Sequence, residues 1–277
     1  MTTTTAVSLP IGLWRDGERM KAAVLRPMTG ADQEFLLEAD GIMPPAIRTS
    51  QLLARCVQRI GRVEPLTPAL AAELVTGDRE ALLLHLRRLT FGDQIDPLVR
   101  CPVCEKNMDV PLKISDLLVL PDVDTLGSHT PQYFEREFPT GGTLRFRLPC
   151  GADQEVVAEL ARHDADEAAR ILLGRCLEQT VDELPGGAQQ AISGWMSELD
   201  PQAELRLNLS CPECGHAFTS LLDAGTYLCE ESIMRARELY HEIHLLALHY
   251  HWGEAEILSL ALPKRKRYLE MLLKALE

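Results

Sequence analysis

The sequence predicts an α+β fold, mostly helical. It reads as two tandem pseudo-symmetric repeats, each a strand, a set of helices and a knuckle hairpin, followed by a C-terminal helical segment. Three observations predict this. Gly30-Ala31-Asp32-Gln33-Glu34 recurs as Gly151-Ala152-Asp153-Gln154-Glu155, Leu52-Leu53-Ala54-Arg55-Cys56 as Leu172-Leu173-Gly174-Arg175-Cys176, and Asp96-Pro97 as Asp200-Pro201, all in the same order. A C-P-x-C turn follows in each copy, as Cys101-Pro102-Val103-Cys104 and Cys211-Pro212-Glu213-Cys214. Between these landmarks, apolar residues return mostly at three- and four-residue steps, the helical period. The repeat is far longer than a solenoid unit, so it reads as a fused pair of small domains.

In chain order, Met1–Leu9 is Thr-rich and reads as disordered, and Arg19–Pro27 as a strand stopped by proline. Thr29 with Asp32 marks a helix start. Thr49-Ser50 precedes a second helix whose Leu52, Leu53, Cys56 and Ile60 share a face, and Asp78 caps a third over Arg79–Leu89. Phe91-Gly92-Asp93 breaks the pattern before the first knuckle. Thr143–Leu148 alternates as a half-buried strand; helices follow at Asp153–Ala161, Ala165–Gln179 and Ala188–Glu198, and Glu204–Leu209 alternates again. Leu228–His251 reads as one long helix, with Ile233, Ala236, Tyr240, Ile243, Ala247 and Tyr250 as its apolar stripe. Glu254–Leu260 is a short helix, and Pro263 opens a last one ending near Glu277. The predicted division is a disordered N-terminus (1–12), a first repeat with its knuckle (13–120), a connector (121–139), a second repeat with its knuckle (140–227) and a C-terminal helical partner-binding segment (228–277).

Composition narrows the function. The 277 residues are 46% hydrophobic but only 5% aromatic, so the core is aliphatic. A formal charge of −13 repels phosphate and argues against sequence-independent nucleic-acid binding. No apolar run is long enough to span a bilayer. Met1–Pro10 has neither a basic start nor an apolar signal core, so a cytoplasmic setting is expected. The eight cysteines then belong to a reducing compartment, where C-x-x-C pairs bind metal or act in redox chemistry.

The knuckles read as one shared structural zinc site of Cys101, Cys104, Cys211 and Cys214, tying the repeats together. Zinc favours a tetrahedron of thiolates, and proline presets the turn that aims both sulfurs at one point. Gly215 suits the left-handed position after the second cysteine; the first copy has Glu105 there. The gap from Cys104 to Cys211 far exceeds the roughly 15–20 residues of a single zinc ribbon, but a pseudo-two-fold would bring equivalent knuckles face to face. Met108–Leu112 and Ala217–Leu222 can pair back as hairpins. A redox pair would want its first cysteine at a helix start, and strand-like segments flank these. Cys56, Cys150, Cys176 and Cys229 read as small core hydrophobes. His241, His244, His249 and His251 read as a solvated helix face, because His241-Glu242-Ile243-His244 is one residue short of HExxH. His216 is at most an outer hydrogen-bond donor. Lys264-Arg265-Lys266-Arg267 reads as a solvated basic face able to dock a negative partner. No catalytic constellation stands out, so no enzyme is expected.

Several segments together resemble a known family. Val24–Gly30, Leu52–Val57 and Gly77–Asp93, followed by the knuckle, resemble the baseplate hub assembly chaperones of contractile phage tails of the T-even type. The stretch His241–Leu269, with Leu246–Trp252, Glu256-Ile257-Leu258 and Lys264–Tyr268, is similar to a segment of tail assembly proteins of phages and phage-derived injection systems. The resemblance implies a non-enzymatic role in assembling a baseplate hub or tape-measure complex. The alternatives are a structural baseplate component retained in the particle and a nucleic-acid-binding zinc ribbon. The residues expected to meet the partner are Tyr250, Trp252, Ile257, Leu258, Arg265, Arg267, Leu269 and Leu272.

Overall fold

The computed structural model describes residues 4–119, 133–138, 142–179, 184 and 186–276. It mixes helix and strand and is about half helical. Thr5–Arg15 (β1) and Glu18–Leu25 (β2) form an antiparallel hairpin. Gly30–Ala39 (α1) and Pro45–Cys56 (α2) follow, and Val57–Ile60 (β3) returns to the free edge of β2. Pro68–Glu73 (α3) and Thr76–Phe91 (α4) come next. Gln94–Ile95 (β4), Leu98–Arg100 (β5), Asn107–Asp109 (β6) and Leu112–Lys113 (β7) build the first knuckle: β4 pairs with β7, and β5 with β6 nested inside. Ile114–Leu117 (α5) closes this half.

Phe134–Glu137 (β8) pairs with Thr143–Phe146 (β9). Gly151–Val157 (α6), a 3-10 turn at Leu160–Arg162, Ala165–Cys176 (α7) and Ala188–Leu199 (α8) follow. Leu205–Ser210 (β10) and Ala217–Leu222 (β11) form the second knuckle hairpin. Ala224–Ala236 (α9), Leu239–Tyr250 (α10), Glu254–Leu258 (α11) and Leu262–Leu276 (α12) complete the order.

Three aliphatic clusters organise these elements. The largest joins the β1–β3 sheet to α1, α2, α4 and α9 through Leu25, Leu36, Leu52, Leu53, Leu82 and Leu228. A second lies between the β8–β9 hairpin and α8, around Phe146, Leu177 and Ile192. A third packs α10, α11 and α12 together, through Leu246, Ile257 and Leu269, with Ala31 and Leu37 of α1 against it.

The structure corrects several expectations. The N-terminus from Thr5 is strand, not disordered: Leu9 and Leu13 pack into the largest cluster and Ile11 into the second, and Leu9 is fully buried. The β1–β2 register shifts between Ser8 and Leu13, where Pro10 and Gly12 interrupt regular pairing, and Gly12 has φ +99°. α2 starts at Pro45, a first-turn proline, so Thr49 and Ser50 lie inside it, and Ile60 belongs to β3. α4 starts at Thr76, and the Asp78 carboxylate instead accepts the amides of Ile11 (2.8 Å) and Gly12 (2.7 Å), satisfying the irregular stretch of β1. Phe134–Glu137, expected within the connector, is strand; residues 121–132 and 139 of that connector lie outside the described residues. The expected long helix Leu228–His251 is two, α9 and α10. Leu228, Cys229 and Ile233 pack into the largest cluster whereas Leu239, Ile243 and Leu246 pack into the third, so one straight stripe could not serve both.

Candidate metal centre

The two knuckles are built alike. Cys101 N donates to Lys106 O (2.9 Å) and Glu105 N to Cys101 O (3.0 Å); Cys211 N donates to His216 O (2.9 Å) and Gly215 N to Cys211 O (2.9 Å). Both turns need a left-handed residue after the second cysteine, and Glu105 (φ +60°) and Gly215 (φ +72°) supply it. Strands then carry each knuckle: Arg100 pairs with Asn107 in the first and Ser210 with Ala217 in the second.

The hairpins meet tip to tip. Cys101 Sγ lies 3.7 Å from Cys214 Sγ, Cys104 Sγ lies 3.6 Å from Cys211 Sγ, and all four sulfurs fall within 4.8 Å of one another. A tetrahedron with metal–sulfur bonds of about 2.3 Å has edges of about 3.8 Å, so the spacing fits a four-thiolate metal site. All eight cysteines are free, and the cross-knuckle separations are far beyond a disulfide bond. Cys101 and Cys211 are buried, Cys104 is half-buried and Cys214 is exposed. The amides of Cys104 and Val103 help pull the Cys101 thiol down to about 6. The Lys106 amide favours the Cys104 thiolate, but burial and the neighbouring sulfurs outweigh it and push Cys104 up to about 12. Negative charge on Cys101 opposes negative charge on Cys104, and a bound dication would remove that conflict. Across the same seam Lys106 Nζ meets Glu213 at 2.6 Å, linking the two knuckles a second time. The donor set fills a tetrahedron and leaves no open position for a substrate.

The other cysteines are placed apart from this cluster. Cys56, Cys176 and Cys229 are buried, and burial raises each thiol above its ordinary value. Cys150 is half-buried and precedes α6. His241, His244, His249, His251 and His216 are exposed, and His216 stacks on Phe218.

The expected partner-binding residues divide. Ile257, Leu258, Leu269 and Leu272 are buried inside the chain, so these four are corrected from partner contacts to core. Arg265 is corrected too: it is 1% exposed, and donates to Glu242 (2.8 Å) and Gln33 (2.5 Å). Tyr250 and Trp252 stack at 4.9 Å with Tyr268 edge-on to both, leaving each half-buried. Arg267 is exposed.

Two matching anchorages were not visible in the sequence reading. Arg26 grips Asp32 with both nitrogens (2.6 and 3.1 Å) and donates to Arg55 O; Arg147 grips Asp153 (2.6 and 2.8 Å) and donates to Arg175 O. Each helix start then receives a second element. Gly30 N donates to Leu260 O and Leu262 N to Met28 O; Gly151 N donates to Leu74 O and Thr76 N to Pro149 O. The available signal was Leu74-Val75 four residues before Arg79, echoed by Leu260-Ala261 four residues before Arg265.

The chain matches the family model described as T4 bacteriophage base plate protein over residues 13–183, more than half its length, and therefore belongs to that family. No curated protein matches it. No solved structure matches it. Among the described residues, no helix is long and apolar enough to cross a membrane.

Proposed function

We propose that the chain is a non-enzymatic assembly chaperone or accessory factor for the baseplate hub or tape-measure complex of a contractile phage tail or phage-like injection system. The observation that carries this is the closed four-sulfur cluster joining two hairpins in a chain of the baseplate family. A closed site holds parts together; it does not turn over substrate. In this reading one zinc ion occupies the cluster, and the matched grips of Arg26–Asp32 and Arg147–Asp153 are relics of a duplicated unit. Assembly takes place in the cytoplasm of the infected or producing cell.

The client is held by surfaces the fold leaves free, because the inward face of α11 and α12 is already occupied. The test is co-purification of hub and tape-measure proteins with the tagged chain from cells assembling particles, together with mass spectrometry of mature particles. A chaperone is captured with its client and missing from mature particles. Its presence there at fixed stoichiometry replaces this reading with that of a retained structural component. Capture of neither protein, with none in the particle, removes both.

A further inference from the structure

Two faces of this chain are left without a partner, and their chemistry is complementary. The first is the outer face of α12. Leu262, Arg265, Leu269 and Leu272 turn inward. Lys264, Lys266, Arg267 and Lys274 are exposed and make no ion pair among the described residues. Exposed Met271 lies among Lys264, Arg267 and Lys274, whereas exposed Leu273 and Leu276 fall toward the inward side at the end of the helix, and Glu270 is the one carboxylate on the helix. In a chain of formal charge −13 this is a concentrated basic and apolar ridge. From Lys264 to Lys274 it runs about 15 Å.

The second face is a groove of about 990 Å³ between β5, β11 and the outer side of α9. Leu98 (63% exposed), Leu221 (67%) and Met234 (65%) line it, an apolar concentration that a monomer rarely leaves open. Its charges are unbalanced toward acid. Arg87 and Arg235 both bind Glu231, and Arg100 binds Glu105. Asp96 and Glu230, exposed at the rim, have no cationic partner among the described residues.

We infer that the chain self-associates head to tail, with the outer face of α12 from one copy lying in the β5–β11–α9 groove of a second copy. Met271 then meets the apolar lining of the groove, and the unpaired lysines and arginine meet the unpaired carboxylates. Because two different surfaces join, the contact is heterologous and propagates into a ring or an open filament. It is independent of which client the chain serves.

Sedimentation equilibrium of the zinc-loaded full chain tests this, with three charge variants. Wild type should show concentration-dependent association. Reversing the helix (Lys264→Glu, Arg267→Glu, Lys274→Glu) or the groove (Asp96→Lys, Glu230→Lys) should each weaken association at least about tenfold. The chain carrying both reversals should regain it. Leu221→Asn gives a charge-independent check and should also weaken it. All these positions are exposed, so each variant should melt like wild type. A wild type that stays monomeric overturns the inference. So does association indifferent to the groove reversal, or a doubly reversed chain no better than its parents. Binding of anionic vesicles or DNA that depends on the helix residues alone overturns it as well.

Discussion

The guanidinium of Arg79 fills the space that a side chain at Gly151 would occupy. A Cβ built there would sit 2.2 Å from Arg79 Nη1. Arg79 cannot easily move aside, since it donates to Ser50 Oγ (2.9 Å), Ala71 O (2.8 Å) and Ala46 O (3.0 Å). Ser50 in turn donates to Glu155 of α6, so α2, α3, α4 and α6 share one polar knot. The same relationship joins Arg265 to Gly30, where a Cβ would meet Nη1 at 2.6 Å. Each Gly-Ala-Asp helix start is thus a receptor for an arginine from a helix elsewhere in the chain.

Gly151→Ala and Gly30→Ala should therefore destabilise the fold by about 2–3 kcal/mol each, through overpacking against a hydrogen-bonded guanidinium. Gly194 provides the contrast. It lies inside α8 with nothing within 4 Å of its built Cβ. Gly194→Ala should stabilise by about 0.5–1 kcal/mol, because alanine narrows the unfolded ensemble at a helical position. Urea midpoints for the three variants check the ordering; equal midpoints would mean the arginines relax freely.

Acid side chains buried around α4 make stability pH-dependent. Burial pushes Asp78 up to about 7, Glu80 up to about 8 and Asp200 up to about 6. Asp223 adds to the effect at Glu80, against the Ala224 amide that Glu80 accepts at 2.9 Å. A carboxyl whose folded value is raised binds more protons in the folded state, so stability grows as pH falls. The gain should build from pH about 8 down to about 4.5, where the same carboxyls titrate in the unfolded chain. Below pH about 6.5 His85 offsets one of these protons: burial holds its ring down to about 4, so the unfolded chain takes up that proton first. Thermal melts across this range should rise on acidification, and Glu80→Gln should flatten the upper part of the rise. A flat wild-type profile would show these carboxyls already stabilised as anions.

The sequence made some of this visible and hid the rest for physical reasons. The meeting of the four knuckle cysteines was legible because C-P-x-C is a short local turn, written twice. The helix start at Thr29 was legible because Asp32 satisfies it locally, accepting Thr29 N at 2.8 Å. Partners far apart in sequence were not. Arg265 sits in a run of four basic residues, and nothing local separates it from Arg267. Only the stripe Leu262, Arg265, Leu269 and Leu272 marks it as inward, a helical spacing that outweighs the charge run. β1 was misread because the threonines leading into it and the Pro10 within it masked the apolar run of Leu9, Ile11 and Leu13. Asp78 was misread as a cap because its true ligands, the amides of Ile11 and Gly12, become free only where β1 loses register.

The unequal knuckle turns give a paired test. Gly215 adopts φ +72° without a side-chain penalty, whereas Glu105 adopts φ +60° against one. Gly215→Ala should lose about 1 kcal/mol, and Glu105→Gly should gain up to about 0.5 kcal/mol after the extra backbone entropy of glycine is set against it. The ion pair of Glu105 with Arg100 is exposed and changes this balance little. Opposite signs in chemical denaturation of the metal-loaded protein are the expected result. Two losses of equal size would mean that side-chain contacts, not backbone strain, govern these turns.

The metal should act on the whole assembly of hairpins, not on a loop. β5–β6 and β10–β11 are separate two-stranded sheets, and among the described residues no strand pairing connects them. An isolated two-stranded hairpin is marginal in water. Among the described residues the polar contacts across the seam include the sulfur cluster and the exposed Lys106–Glu213 pair, and an exposed pair of that kind is too weak to hold two hairpins. Metal analysis of reduced protein should find about one zinc per chain, the number one tetrahedron holds. Cys211→Ser, or a strong chelator, should release it and lower the melting temperature. Amide exchange should then quicken in both hairpins at once, including β5–β6, which carries no substitution. Loss of protection confined to β10–β11 would show that each hairpin stands alone. Retention of zinc by the Cys211→Ser chain would show that Cys101, Cys104 and Cys214 suffice with a different fourth ligand.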